Sequence, residues 1–502
     1  MRRSIPDAGS RSISAGSDFL QLDIDDAPVR GRSAWLAGQL RLAIADGRLP
    51  VGSRLPATRV LAAELRVSRG VVTEAYQRLV EDGHLAGRGR AGTTVVAAPA
   101  ATPPATPPAS HGPLPAATSV FGDPADLAVF DNVRAAPARI DLSPGMPDLA
   151  AFPRSAWLRA ERAVLDRLAP ADFGYGDPRG TPALRGAVSH WLARNRGIRV
   201  HPAEVFVVAG VSQALGLLAQ VLRADGIDAV AVEDPGSLGV RQHLRNHALR
   251  TPPVPVDEGG LCVDELYDAD ARAVMLTPAH QFPTGVVLDG DRRRRLMRWA
   301  SEGGLVIEDD YDAEHRYDRP PVPALRSVLP EQVCYTGSVS KLLAPALRVG
   351  WVLVPSRYAG AMVAAKRNAD LGNAALPQLV LAELMGSGEL ERHLRFLRRR
   401  HVRRRDAMIR AIRTRLPEAT VHGAAAGLHL MVTFDRDLDD THLATAALAV
   451  GVKVQPLSWH SQRGYRPGLV LGYAANPPAV IEEGIAALSD VLGDVLGERM
   501  GG

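Results

Sequence analysis

The chain has 502 residues, 46% hydrophobic and 23% charged, with a formal net charge of +4. That composition excludes a disordered chain, and the length leaves room for two or three domains, each with its own core. No run approaches the ~18 apolar residues of a membrane span. The opening MRRSIPDAGSRSIS lacks the apolar stretch of a secretory leader, and two cysteines, Cys262 and Cys334, make neither a disulfide framework nor a metal cluster. Together these predict a cytoplasmic protein without a metal site.

Charge is unevenly placed along the chain. Residues 1–29 form a tail with three Arg and five Asp, whereas residues 30–96 hold eleven Arg against five acids, a net +6; the remainder is neutral. A compact basic block on a neutral body points to nucleic acid. Within the block, Trp35, Leu36, Leu40, Ala43 and Ile44 recur at helical spacing up to Gly47. Thr58 is placed to cap a second helix with Val60, Leu61 and Leu65 on one face. Ser68 is placed to cap a third, with Val71, Val72, Ala75, Tyr76 and Leu79 inward and Gly83 as its stop. His84–Val96 reads as two short strands around a Gly-rich tip. Three helices and a β-ribbon predict an α+β winged helix-turn-helix over 30–96. The N-terminal end of its last helix faces base edges, which makes Ser68, Arg69 and Thr73 candidate base readers. Arg54 and Arg59 flank the preceding helix and suit phosphate contacts. Arg88 and Arg90 sit in the wing tip.

Residues 97–118 contain seven Pro, eight Ala and no charge, a composition that favours an extended polyproline-like path. A linker is predicted over 97–139, with 119–139 also open to a reading as a loop packed on the next domain. From 140 to 502 the pattern changes. Apolar runs at 205–209, 229–232, 273–276, 305–307, 333–336 and 349–354 alternate with helical stretches, which predicts a mainly parallel α/β sheet. From about 380 the chain is more helical, with strands near 428–433 and 469–473, as in a smaller α+β lobe. The basic run HLRFLRRRHVRRRDAMIRAIRTRL (393–416) reads as one long helix with a wet, positive face.

Only three side chains carry a primary amine: Lys341, Lys366 and Lys453. Lys341 lies in TGSVSKLLAPALRVGW, a hydroxyl-rich turn after a predicted strand, and is the candidate Schiff-base former; a buried ammonium has a depressed pKa and is more nucleophilic. Ser338 and Ser340 offer hydroxyls nearby, and Arg348 a fork for phosphate. Lys366 reads as a surface helix residue and Lys453 as a structural strand residue. Upstream, GLVIEDDYDAEHRY ends a strand in acids, where α/β sheets bind ligands. Asp309 there suits a protonated pyridine nitrogen and Tyr311 the ring's phenolic oxygen. In VFVVAGVSQALGLL the first N–H groups of a helix, at Val211, Ser212 and Gln213, make a phosphate site. FGYGDPRG places Tyr175 in a glycine turn.

The segment GRLPVGSRLPATRVLAAELRVSRGVVTEAYQRLVEDGHLAGRGRAGTTV resembles the winged helix-turn-helix of the GntR superfamily, with Val51 where the family usually has Pro. YGDPRGTPALRGAV, AGVSQALGLL, VEDPGS, TPAHQFPTG, IEDDYDAEHRY and SVSKLLAPALRVGW resemble fold-type I aminotransferases, in the family's order. The chain as a whole is thus similar to MocR-type regulators. The resemblance implies pyridoxal 5'-phosphate bound at Lys341, with Asp309 at the pyridine nitrogen, Tyr311 at the ring oxygen, and Ser212, Gln213, Ser338 and Arg348 at the phosphate. It also implies a homodimer in which Tyr175 reaches the neighbouring subunit's phosphate, an operator in double-stranded DNA and a small-molecule effector.

Three positions depart from the pattern. Ser237 stands where relatives often stack an aromatic ring on the cofactor. Gly239 stands where amino-acid-sensing relatives have an arginine. Val470 stands where aminotransferases hold the substrate carboxylate with arginine, and Arg463 and Arg466 are not at the matching position. An amino-acid substrate needs a positive fork for its carboxylate, so these absences favour a sensor of pyridoxal phosphate, or of an amine that reacts with it, over a working transaminase with an appended reader. A scaffold that has lost the cofactor is a third reading, which Lys341 and Asp309 disfavour.

Overall fold

The computed structural model describes residues 20, 22, 24–28, 31–87, 92–97, 120–122, 129–317 and 322–500. Arg88 and Arg90 lie outside these residues, as does most of the Pro/Ala-rich segment. The chain divides into two compact units, residues 1–113 and 114–502.

The first unit is the winged helix-turn-helix. Helices α1 (Arg32–Ala45), α2 (Thr58–Glu64) and α3 (Arg69–Glu81) precede strands β1 (Leu85–Gly87) and β2 (Thr93–Val95). The strands pair antiparallel with Leu85 opposite Val95. Leu36, Leu40, Ile44, Leu61, Val72 and Leu79 meet Leu85 and Val95 in one core, the apolar stripe that the spacing predicts. The Tyr76 hydroxyl donates to the Pro56 carbonyl at 3.0 Å and ties α3 to the chain before α2. Two details differ from the sequence reading. α2 begins at Thr58 itself, with extended Ala57 at the cap position, so the Thr58 hydroxyl is free to accept from Arg69 Nε at 3.4 Å. Ser68 holds the cap position of α3 but makes no capping hydrogen bond with its side chain.

The second unit carries a mixed sheet of eight strands. In chain order they are β4 (Phe206–Val208), β5 (Val230–Asp234), β6 (Pro253–Asp257), β7 (Gly260–Leu261), β8 (Ala273–Leu276), β9 (Leu305–Asp310), β10 (Val333–Ser338) and β11 (Gly350–Leu353). Their spatial order is β4-β11-β10-β9-β8-β5-β6-β7. The central run β10-β9-β8-β5-β6 is parallel, and β11 runs antiparallel to both its neighbours. β5, β8, β9, β10 and β11 are buried along their whole length, which explains their mostly apolar runs, whereas β6 alternates in burial.

A smaller lobe follows. Strands β12 (Ala419–His422), β13 (His429–Phe434), β15 (Gln455–Pro456) and β16 (Gly468–Gly472) form an antiparallel sheet, and β14 (Val452–Lys453) pairs in parallel with β3 (Ile140–Asp141). The basic run forms a helix over Glu389–Arg415. Residues assigned above to the end of the linker are packed here. Val120, Phe121, Val129, Val133 and Ala136 are buried in this lobe's core, and Val129–Ala135 is helical. Apolar residues at i and i+4, Val129 and Val133, drive this docking; the bland composition of 97–118 does not extend to them. Among the described residues no helix is long and apolar enough to cross a membrane.

Candidate functional site

On the first unit, Arg59, Ser68, Arg69 and Thr73 are all exposed. Ser68, Arg69 and Thr73 gather at the N-terminal end of α3, the end that presents side chains to a groove in this motif. The Thr73 hydroxyl donates to the Arg69 carbonyl at 2.9 Å, one turn back, and keeps its lone pairs for an outside donor. Arg54 lies on an extended residue bridged to Thr94, with its stem against Gly92 at the root of the wing.

The second unit encloses a cavity of about 840 Å³ at the C-terminal ends of β5, β8 and β9, where parallel strands leave a crevice. Lys341, Asp309 and Tyr311 line it together with Glu233, Thr277 and His429. Lys341 Nζ donates to the Gly145 carbonyl. This amine is half-buried, and burial lowers its pKa despite the opposing charges of Asp312 and Asp309. Asp309 is 8% exposed. Its carboxyl accepts from the Thr336 hydroxyl at 2.9 Å. Burial outweighs that bond and pushes the carboxyl up to about 7. A buried carboxylate with one neutral partner suits a ligand that brings its own positive charge, as a protonated pyridine does. The Tyr311 hydroxyl shares His280 Nδ1, at 3.1 Å, with the Asp312 carboxylate at 2.9 Å.

Beside β4 a second group of residues converges. The helix Val211–Ala224 starts from Gly210, whose φ of 83° favours glycine. A side chain at Gly210 would meet the Arg348 guanidinium at 3.3 Å; one at Gly350 would meet Gly210 Cα and Ser338 Cβ at 3.1 Å each. These contacts bring Arg348 and Ser338 beside Gly210, the residue from which the helix carrying Ser212 starts. Gln213 behaves differently. Its side chain turns back, accepting from the Ala209 N–H at 2.7 Å and donating to Asp370 at 2.7 Å, so only its backbone N–H is directed outward. Asp370 also pairs with Lys366, which is 0% exposed rather than a surface residue.

These features match known proteins over nearly the whole chain. Residues 33–95 match the family "Bacterial regulatory proteins, gntR family" and residues 139–487 match "Aminotransferase class I and II". "Probable rhizopine catabolism regulatory protein MocR" of Rhizobium meliloti is 32% identical, over 94% of this chain and 95% of its own. The chain belongs to the MocR-type transcriptional regulators. A second such regulator, "HTH-type pyridoxine biosynthesis transcriptional regulator PdxR" of Corynebacterium glutamicum, is 30% identical over 91% of this chain and 95% of its own. Among solved structures, the α-aminoadipate aminotransferase LysN of Thermus thermophilus, complexed with N-(5'-phosphopyridoxyl)-L-leucine, superposes with a TM-score of 0.66. It shares 27% identity and covers 73% of this chain and 95% of its own. This MocR-type chain is therefore a DNA-binding transcriptional regulator with an aminotransferase-like body, and the family and its neighbours imply pyridoxal phosphate as the cofactor.

Within this regulator the three departures sit in distinct local settings. Ser237 caps the helix Leu238–Asn246, its hydroxyl accepting from the Val240 N–H at 3.3 Å. A Cβ at Gly239 would make ordinary van der Waals contact with the Phe130 ring at 3.6 Å, and Gly239 itself lines the cavity. Val470 is fully buried, packed with Met431 and Leu457 beneath Phe282. Arg463 pairs with Glu265 at 3.1 Å, and neither it nor Arg466 lines the cavity. Tyr175 is 94% exposed on this single chain.

Several site residues received no role from the sequence, although Glu233, Thr277, His280, Phe282 and Asp312 lie in the segments VEDPGS, TPAHQFPTG and IEDDYDAEHRY. Glu233 is buried, takes hydrogen bonds from Thr277 at 2.8 and 3.0 Å, and is pushed up to about 7 by burial. His429 and His460 flank Phe282 at ring distances of 4.9 and 5.0 Å, and burial takes both down to about 3. The donor atoms of His280, Asp312 and His429 lie within 4.8 Å of one another. Lys453, read from sequence as purely structural, lines the cavity.

Proposed function

We propose that this regulator senses pyridoxal phosphate, or a small amine that reacts with it, through Lys341. The observation that carries the reading is Lys341 beside a buried, uncompensated Asp309 in one cavity. When bound, the cofactor supplies an electrophilic carbon that captures amines. Lys341 anchors it, its amine kept reactive by burial. Asp309 holds a proton at the pyridine nitrogen, and Tyr311, braced by His280, binds the ring oxygen. Ser338, Arg348 and the N–H groups of Ser212 and Gln213 hold the phosphate. Tyr175, exposed on one chain, serves the site of a second copy in a cytoplasmic homodimer. Two readers then address two half-sites of an operator, spaced in multiples of ~34 Å. Ligand shifts DNA affinity only as far as it binds one arrangement better. The buried, apolar setting of Val470 speaks against turnover of amino acids as in an aminotransferase. Full-length protein mixed with pyridoxal phosphate should develop the visible absorbance of the lysine-bound cofactor, and Lys341→Ala should lose it entirely. Retention of that band in Lys341→Ala would remove the basis of the proposal.

A further inference from the structure

Two of the three lysines in the chain face one cavity. Lys341 stands by Asp309, and Lys453 lines the same space from the small lobe. Strand alternation explains the second placement. Val452 and Val454 are fully buried in the small-lobe core, which turns Lys453 and Gln455 to the opposite face, and both of these line the cavity.

Lys453 is 4% exposed. Its charged neighbour is Asp141 on the paired strand, at 3.5 Å, too far for a good hydrogen bond. One oxygen of Asp141 already accepts from the Ser143 N–H at 2.8 Å. An ammonium has three donors, and this long contact leaves them poorly served. Ser143 adds an independent sign. Its hydroxyl is buried, the residue lines the cavity, and the oxygen has no hydrogen-bond partner among the described residues. Buried donors of this kind are costly unless an acceptor arrives.

Gln455 lies directly across the strand pair from Val470, the position at which an arginine is absent. We propose that Lys453, Ser143 and Gln455 form an acid-group subsite, and that the effector is a small molecule with a primary amine at one end and a carboxylate or similar acid at the other. The subsite rests on the reading of Lys341 as the cofactor lysine, which would meet the amine end. Phe130 and Val133, from the helix that comes after the Pro/Ala-rich segment, line the same cavity, so an occupant here touches the stretch of chain nearest that segment.

The test uses full-length protein loaded with pyridoxal phosphate. Its visible spectrum is followed during titration with ω-amino acids from glycine to 6-aminohexanoate and with the matched alkylamines that lack the acid. The native protein should respond to at least one amino acid at concentrations ~30-fold below its matched amine, a factor in the range for a buried charge contact. Lys453→Met should lose that preference while keeping the cofactor band and its response to alkylamines. Asp141→Asn should strengthen it, because a competing carboxylate is gone; a lysine serving only Asp141 would give no such gain. If Lys453→Met fails to fold, Ser143→Ala takes its place, with a several-fold weakening expected. Equal preference in the native protein and in these variants overturns the subsite. In a second arm, the melting temperature of cofactor-free protein is read against the carboxylates from acetate to hexanoate. A rise in the native protein that is absent in Lys453→Met supports the subsite, and equal behaviour contradicts it. Absence of any cofactor band would defeat the proposed function alone, and the carboxylate arm would then decide the subsite by itself.

Discussion

The reader and the effector body recognise their ligands by opposite means. In the reader, Arg59, Ser68, Arg69 and Thr73 stand exposed on a small apolar core, the positions at which the proposed function has DNA complete their hydrogen bonding. In the body, Lys341, Asp309, Tyr311 and Glu233 line a cavity. Burial there has moved titrations, with Asp309 and Glu233 up to about 7 and Lys341 down. Exposed cations act on a polyanion in proportion to their number and are weakened by salt. Charges held out of water act one at a time and strongly, and they couple to folding. Reader substitutions should therefore change affinity and spare the fold, whereas cavity substitutions should change both.

Asp309 offers the largest expected effect and the sharpest way to break this contrast. Its folded pKa of about 7 lies above the ordinary 3.8. Stability tied to its neutral form is therefore complete below pH ~4 and lost as pH rises through 7. Cofactor-free Asp309→Asn should be more stable than the native protein at pH 8, by up to ~4 kcal/mol, and the gap should shrink as pH falls. With cofactor bound the order should reverse at pH 8, since the carboxylate then has a cation. Denaturant melts at pH 5 and pH 8 measure this; a gap independent of pH would make Asp309 behave like a surface residue.

A smaller effect tests the other side. Arg69→Ala should cost ~1–3 kcal/mol of DNA binding, concentrated at one base pair. Arg59→Ala should weaken all duplexes alike and flatten the salt dependence by about one unit of slope. Both should melt as the native protein does. Fluorescence anisotropy on paired operator and scrambled duplexes distinguishes them. A loss of fold in either would mean that these arginines serve the core.

The reader was legible in the sequence because local rules govern a small helical unit. Helical spacing located its buried face, and Gly83 its stop. Thr58 misled because a β-branched hydroxyl residue before an apolar stripe reads as a cap, while the backbone placed extended Ala57 there. In the body, the scarcity of lysine isolated Lys341, and the strand-end acids isolated Asp309. Long-range placement was hidden. Lys366 follows helical periodicity onto what looks like a wet face, yet Asp370 draws it inside. Gln213 is held by that same Asp370, a partner 157 residues away. Lys453 was readable in part, since GVKVQ alternates and one face had to be apolar. Which space the other face met depended on how the small lobe sits against the sheet. For 119–139 packing on the next domain stood only as the alternative to a linker, and the helix Val129–Ala135 was hidden beside so much proline and alanine.

The measurement closest to the central claim is the operator affinity of the full-length protein with and without pyridoxal phosphate, in one buffer at one salt concentration, on a duplex selected by the protein itself. Cofactor should change the affinity at least ~5-fold, the lower end of common couplings between sites, and Lys341→Ala should show no change. Equal affinity in both states, in native protein whose cofactor band is present, would contradict the sensing role of Lys341.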